Sequence, residues 1–459
     1  MFRLSLPLPT YGTKKFLAIA SSILFSAQPI AKVHSAESAP PTFFGGDKTL
    51  VCLNTFQPFG FGTTARFDSS QYDSNPFQNG GTDAESMPVR RLEIIRAAGF
   101  QCIRIVVDIA ALLASADHDK LEELTKALMI GISKRVSTGL KVIVDIHPFP
   151  KGTHPVEGWS DVDLIDGPLG VKFSRLSSTV AQLASRLSAN FDPKDVSLEL
   201  FNEPPLPEEF VNKVTWNLQI LGYWRRIRAA LPEHTLIVSG MGLAAIDGTV
   251  SGSSPSGLLS LNPADFDANT AFAFHFYEPI IFTHQGTGFF SHVHGLHFPA
   301  TSHPGGKGQA EVDFTRAITQ DTGLNAQAKR EYIANFISRT RHNYSFFQYW
   351  NSWGAPEAID GRFATVVDWA KRNGLHPHAV VNTEFGVNHN RQGCSGVAPT
   401  ESASLYISLV RKAAFRAHLG AITVHEAQGS CFAIQDRASP YHFDAAFLAA
   451  LGLATDSTE

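Results

Sequence analysis

Leu140-Lys-Val-Ile-Val-Asp-Ile-His147 is almost wholly apolar until it ends on Asp145 and His147. A strand with one face in water alternates apolar and polar side chains, so the unbroken Val142-Ile-Val144 fits a parallel strand covered on both faces. Helices are the usual cover, and the pattern should then recur along the chain. It does: Thr49 to Leu53, Cys102 to Val107, Val196 to Phe201, Leu236 to Val238, Ala271 to Phe274, Val380 to Asn382 and Ala421 to Val424 all read as short apolar strands.

Helical patterns separate these strands. A helix from about Asp83 should end at Gly99, a C-cap glycine. Leu121, Leu124, Leu128 and Ile132 mark one helical face, and Ser174 to Leu187 a second helix. Trp216, Ile220, Trp224, Ile227 and Leu231 form a stripe closed by Pro232, which places both tryptophans in the core. The last helices are expected near Gly361 to Asn373, Ser402 to His418 and Phe443 to Leu451. Strict alternation predicts an α/β fold, a (β/α)8 TIM barrel. The strands at Ala271 and Val380 lie far further apart than one barrel unit of roughly 31 residues, so a long loop insertion should follow the sixth strand. An open doubly wound sheet is the alternative. Its nucleotide-binding form wants a G-x-G-x-x-G or P-loop after the first strand, and Asn54-Thr-Phe-Gln-Pro-Phe-Gly60 is neither.

Composition narrows the partners. Across 459 residues, 38 Lys+Arg stand against 42 Asp+Glu, leaving no basic excess for a phosphate backbone and arguing against nucleic acid. Aromatics are abundant, with 34 Phe, 9 Tyr and 6 Trp. They imply either a large core or an aromatic-lined binding surface.

The first residues carry Arg3, Lys14 and Lys15 ahead of an apolar run from Phe16 to Ala27, with small residues at Ser35 and Ala36. That run is too short to span a bilayer. Residues 1–36 are therefore expected to be a secretory signal peptide, residues 37–47 a short linker and residues 48–459 the barrel domain. The alternative is an uncleaved anchor. The mature protein is expected to be a monomer outside the membrane, secreted or periplasmic. Export makes disulfides possible, and Cys394 and Cys431, both in glycine-bearing loops, are the pair expected. Cys52 and Cys102 sit in apolar strand-like runs, where a cysteine is often a small buried hydrophobe, and their pairing stays open.

In a (β/α)8 barrel the site lies at the C-terminal face, so polar residues that follow apolar strands are candidates for chemistry. They are Arg104, Asp145 with His147, Asn202 with Glu203, His275 with Tyr277, Glu384, and His425 with Glu426. Glu203 and Glu384 end the fourth and seventh strands, on opposite sides of one barrel mouth. Two facing carboxylates are what glycoside hydrolysis needs, one as acid and one as nucleophile.

Gly99-Phe-Gln-Cys-Ile-Arg-Ile105, Val144-Asp-Ile-His147, Leu198-Glu-Leu-Phe-Asn-Glu-Pro204, Phe274-His-Phe-Tyr-Glu-Pro279 and Asn382-Thr-Glu-Phe-Gly386 together resemble the ordered signature of glycoside hydrolase family 5, a cellulase-containing family of barrel enzymes. The likeness runs over about residues 47 to 420. It implies Glu203 as acid/base and Glu384 as nucleophile, with retention of anomeric configuration. Arg104 would hold Glu384 anionic, Asn202 would bond the sugar 2-hydroxyl, and His147 would contact the sugar being cleaved. His275 and Tyr277 would orient Glu203 and Glu384. The substrate implied is a β-1,4-linked glucan cut internally, with mannan or an acidic exopolysaccharide as runner-up. No cofactor is expected.

The eighth strand departs from that pattern. Family members usually end it with a tryptophan under the sugar, whereas Ala421-Ile-Thr-Val-His-Glu-Ala-Gln428 has none. His425 would cover the same sugar face less completely, or a loop aromatic would replace the missing ring. Glu426 could bond a sugar hydroxyl or pair with a loop arginine. Phe56, Phe59, Phe61, Phe149, Trp159, Trp350 and Trp353 follow strands or lie in the insertion, where flat rings suit the C–H faces of a sugar. Packing is the competing reading for each. His292-Val-His294 lacks the HExxH spacing, so loop histidines are favoured over a metal site, and His284 could line the cleft beside Tyr277. Two other classes stay open: a barrel that binds glycan without cutting it, and a metal-dependent hydrolase using the loop histidines.

Overall fold

In a computed structural model, eight parallel strands close into a barrel, each bonded to its sequence neighbour and the last to the first. The structure describes residues 38–56, 89–114, 118–148, 162–167, 169–204, 213–247, 257–287, 290, 292–337, 346–389, 394, 397–428, 430–435 and 441–453. The stretch read as a signal peptide lies outside them, as do Phe59, Phe61, Phe149 and Trp159. All described residues belong to the unit Glu37–Glu459. Among them, no helix is long and apolar enough to cross a membrane.

The strands are β1 (Leu50–Phe56), β2 (Cys102–Asp108), β3 (Lys141–His147), β4 (Val196–Glu199), β5 (Leu236–Ser239), β6 (Thr270–Phe276), β7 (Val380–Phe385) and β8 (Ala421–Val424). Helices lie between them, including Val89–Ala97, His118–Ser137, Val171–Asn190, Lys213–Ala230, Glu357–Arg372 and Thr400–Arg416. Side chains alternate between the two faces of each strand. One set packs outward against the helices. Leu176, Val180, Leu183 and Leu187 of one helix are buried in that layer, and so are Trp216 and Trp224 of the next. Both indole N–H groups are satisfied there: Trp216 Nε1 donates to the Ser239 carbonyl at 3.1 Å and Trp224 Nε1 to Thr270 Oγ1 at 3.0 Å.

The other set fills the barrel. Cys52, Cys102, Ile143, Ile237, Ala271, Ala273, Val381 and Ala421 form a separate buried cluster, joined by Phe43 and Phe44. The two phenylalanines lie in a short turn at Thr42–Phe44, just ahead of β1. What reads as a linker in sequence therefore carries two fully packed core residues. Cys52 and Cys102 are directly opposed across β1 and β2, and the structure joins them as a disulfide.

The insertion after β6 is the main difference from expectation. It is helical, with Ile280–Thr283, Gly306–Gln320, Ala326–Ile337 and Phe346–Ser352 ahead of the barrel helix Glu357–Arg372. Ala310, Phe314 and Ile318, spaced four apart, bury one face of its longest helix. That spacing makes a stripe which must pack, and a bare loop would have left it in water.

Candidate active site

The inward residues at the C-terminal ends of the strands continue the same ladders that fill the barrel. Asn54 stands two residues beyond Cys52 on β1, and Arg104 two beyond Cys102 on β2, with Asn54 and Arg104 in register. Asp145 and His147 continue β3, Glu199 ends β4, and His275 continues β6. On β7, Val381 belongs to the cluster that fills the barrel, so strict alternation would turn Glu384 outward. A register shift intervenes: Phe274 pairs with Asn382, but His275 pairs with Glu384. The extra residue, Thr383, is a bulge that re-aims the strand end, so Thr383 and Glu384 both reach the site.

Arg104 is the hub. It is fully buried, and its Nη1 donates to Glu384 Oε1 at 2.8 Å and to Asn54 Oδ1 at 3.3 Å. Nη2 donates to Asn202 Oδ1 at 2.8 Å and lies 3.1 Å from Asp145 Oδ2, while Nε donates to Glu199 Oε2 at 2.6 Å. These bonds orient two amides, which in turn fix two imidazoles. Because Asn202 Oδ1 accepts from Arg104, its Nδ2 is left to donate to His147 Nε2 at 3.2 Å. His147 Nδ1 then carries the proton and donates to Asp145 Oδ2 at 2.7 Å. Asn54 Nδ2 likewise lies 3.1 Å from His425 Nδ1, a contact that in the neutral ring selects the tautomer with its proton on Nε2.

Glu384 also accepts from the Tyr277 hydroxyl at 2.9 Å, and its Oε2 lies 3.6 Å from His275 Nδ1 and 3.9 Å from His425 Nδ1. Burial by itself would push this carboxyl up, but His275, His425, Arg104 and His147 outweigh it and hold Glu384 well below the usual carboxylate range. Burial, Glu384 and Glu203 push the Tyr277 hydroxyl well up, so it stays a donor.

Glu203 meets a different environment. Its side chain is 34 % exposed, and His275 Nδ1 donates to its Oε1 at 2.8 Å. Its backbone sits at φ 41°, a left-handed conformation that is uncommon and costly away from glycine. The turn after β5 braces it: the Gly242 and Leu243 N–H groups donate to the Pro204 carbonyl, and the Ala244 carbonyl accepts from the His275 N–H at 2.8 Å. Although burial disfavours its charged form, His275 has its pKa raised by Glu384 and Glu203. The acting atoms of Glu203, His275 and Glu384 lie within 4.8 Å of one another, which makes them the one group among the described residues with the spacing to hold a metal ion. Hydrogen bonding between His275 and Glu203 already accounts for their approach.

At the end of β8 the structure sets a cluster of smaller rings. His425, its side chain 25 % exposed, lies 5.7 Å from Phe432 between ring centroids, and Phe432 lies 6.0 Å from Tyr277 and 5.0 Å from His284. His284 packs edge-on against Tyr277 at 4.8 Å, and burial together with His425 pushes it down to about 4. Phe432 follows directly on Cys431, which is joined to Cys394. The approach is close enough to require Gly386: a Cβ there would collide with the His425 carbonyl and lie 3.2 Å from the Phe432 ring.

Four of the residues weighed in the sequence are held by packing or by bonds of their own. Glu426 is buried and accepts from Ser430 N at 2.8 Å and Ser430 Oγ at 2.6 Å. Through these bonds it fastens the Phe432 turn, and Ser430 is its side-chain partner among the described residues. Trp353, 6 % exposed, packs against Phe276 at 6.4 Å in the layer between barrel and helices, which removes it from the candidate sugar platforms. Trp350 stacks on Phe346 within the insertion. His292 Nδ1 lies 2.5 Å from Asp321 Oδ2, where it ties the insertion together. Four residues of the site were not singled out from sequence: Asn54, Glu199, Thr383 and Phe432. Glu199 had a visible signal, since a charged residue inside Val196 to Phe201 has to find a buried partner.

The comparisons with known proteins bear on the family and the fold. A model of the cellulase family, glycosyl hydrolase family 5, matches residues 90–417. Endoglucanase 3 of Fibrobacter succinogenes is 21 % identical over 333 residues, covering 70 % of this chain and 43 % of that protein. The chain thus spans less than half the length of this curated relative. Among solved structures, cellulose synthase subunit Z from Clostridioides difficile superposes with a TM-score of 0.55 at 22 % identity, covering 88 % of this chain and 99 % of that one. A family 5 xyloglucanase from Paenibacillus pabuli gives 0.56 at 16 % identity, covering 88 % and 98 %. At such identities the two structures speak for the fold, while the family match, over more than half of the sequence, carries the assignment: this chain belongs to glycosyl hydrolase family 5, the cellulase family.

Proposed function

We propose that the protein is a secreted retaining β-glycosidase that cuts inside a β-1,4-linked glucan. The observation that carries this reading is the facing of Glu203 and Glu384, whose nearest oxygens lie within 4.8 Å. Retaining enzymes hold their two carboxyl groups about 5–5.5 Å apart, whereas inverting ones leave roughly 6.5–9.5 Å for a water. Glu203, at the rim, protonates the glycosidic oxygen as the bond to the leaving sugar breaks. Glu384, kept anionic, attacks the anomeric carbon and forms a glycosyl ester. Glu203, now a carboxylate, takes a proton from the water that hydrolyses that ester, and both carboxyl groups return to their starting states.

The supporting residues follow from their bonds. Tyr277 and Arg104 each hold one oxygen of Glu384, which fixes the attacking lone pair. Asn202, anchored by Arg104, presents its amide to the sugar 2-hydroxyl, a contact that strengthens toward the oxocarbenium-like transition state. His147 and His425, with their tautomers set, flank the same sugar. The glucan preference draws on the endoglucanase relative, and mannan or an acidic exopolysaccharide is the second choice, favoured by the missing strand-8 indole. Export draws on the N-terminal charge and apolar pattern and on the two disulfides.

The test is hydrolysis of a panel of β-glucans, mannans and exopolysaccharides by purified protein, with products sized over time. An endo enzyme on glucan should release oligosaccharides of mixed length early. Hydrolysis that survives Glu203→Gln or Glu384→Gln at near wild-type rate would sink the assignment, and activity lost on chelation would point to a metal-dependent hydrolase.

A further inference from the structure

Arg104 faces three carboxylates at once: Glu199 Oε2 at 2.6 Å, Glu384 Oε1 at 2.8 Å and Asp145 Oδ2 at 3.1 Å, with Arg104, Asp145 and Glu199 wholly removed from water. One guanidinium cannot compensate three buried anions. An uncompensated buried charge costs several kcal/mol, and carboxylates that share a site do not all ionise together. Further protons must therefore reside on the cluster, on its imidazoles or its carboxyls, and the neighbours of each carboxylate show where a carboxyl would hold one. Asp145 has His147 Nδ1 at 2.7 Å as a second donor. Glu384 has Tyr277, with His275 and His425 close by. Among the described residues, Glu199 has Arg104 Nε on one oxygen and, on the other, the Thr383 hydroxyl at 3.1 Å, a group that accepts as readily as it donates.

We infer that Glu199 is a neutral carboxylic acid in the working enzyme, with its proton directed at Thr383 Oγ1, so that the charge of Arg104 is left to Asp145 and Glu384. The titratable groups that face it are Arg104 from β2, Asp145 with His147 from β3, His275 from β6 and Glu384 from β7. Burial pushes the Glu199 carboxyl up and, together with Asp145, outweighs the pull of Arg104 and His275. Glu199 is thus a positioning residue: an ionised Glu199 would draw Arg104 away from Glu384, and a neutral one holds the fork in place.

The kinetic part rests on the proposed glycosidase reading, and the spectroscopic part does not. Glu199→Gln mimics the neutral acid and should lose no more than about threefold in kcat, whereas Glu199→Ala, which frees Arg104 Nε, should lose roughly ten- to hundredfold with KM little changed. Near neutral pH, the infrared difference between wild type and Glu199→Gln should show the loss of one protonated-carboxyl stretch. Should Glu199→Gln fail to fold, Thr383→Val takes its place, since it removes the hydroxyl from that proton and should shift the band. Equal damage by Gln and Ala, no band lost, or a band unmoved in Thr383→Val overturns the proposal. A wild type that hydrolyses no β-glycan would defeat the glycosidase reading by itself and leave the infrared arm to decide Glu199.

Discussion

Glu384 lies at the floor of the cleft, its side chain 6 % exposed, bonded by Arg104 and Tyr277 and ringed by His275 and His425; Glu203 stands at the rim, 34 % exposed, with His275 as its partner among the described residues. The same side-chain type meets two different environments. On the floor, cations more than offset burial and the carboxylate stays charged, as a nucleophile must. At the rim a single histidine bond and open solvent leave the carboxyl within reach of a leaving-group oxygen, where an acid/base must stand. In the proposed reaction the surroundings assign the roles, and each change of surroundings should move the corresponding role.

The largest effect is expected from Glu384→Gln, which removes the attacking group and should lower kcat on the order of 10⁵-fold, measured by reducing-sugar release. Glu203→Gln should cost about 10²–10⁴-fold on a polysaccharide, the usual contribution of a general acid. The loss should shrink on an aryl glycoside whose acidic phenol leaves without protonation. Equal losses on both substrates would erase the distinction between floor and rim.

Arg104→Lys tests the floor alone. It keeps a charge and loses the fork that serves Glu199, Glu384 and Asn202, and should cost roughly ten- to hundredfold in kcat/KM. The sign of its pH effect follows from the depressed Glu384 carboxyl. A depressed carboxyl contributes stability that is present above the ordinary carboxylate range and lost as pH falls. With the fork weakened, Glu384 should titrate at higher pH, so the acid limb of kcat/KM and the acid limit of folding should both move up. An acid limb that stays in place would separate Arg104 from the ionisation of Glu384.

The smallest effect on rate is expected at the β8 side. Cys394→Ser with Cys431→Ser releases the turn that carries Phe432 and should lower stability by about 2–4 kcal/mol, read by denaturant titration. The cost to kcat should be only severalfold, chiefly in KM, if Phe432 acts as a backing for the sugar site. A collapse of kcat would place this turn within the chemistry itself.

Most of the floor was legible in the sequence because its residues sit at strand ends, where Arg, His, Asn or Glu closing an apolar run marks the barrel mouth. The barrel itself followed from runs such as Val142-Ile-Val144. What sequence could not supply was register. Thr383 inserts one residue into β7, and without that bulge the alternation alone misplaces Glu384. Cys52 and Cys102 pair because β1 and β2 align them, which neither apolar run reveals by itself. Trp353 reads as a loop aromatic until the insertion helices fold it against Phe276. The stripe Ala310, Phe314, Ile318 was present all along, within a segment whose length suggested a loop.

The most direct test of the central assignment is covalent trapping. A 2-deoxy-2-fluoro β-glycoside with a good leaving group forms the glycosyl ester faster than water can cleave it, and the labelled protein can be digested and mapped by mass spectrometry. The account predicts one sugar per chain, carried on Glu384, with the β-configuration retained in the early products of wild type by NMR. A label on Glu203, or no label together with inverted products, would contradict it.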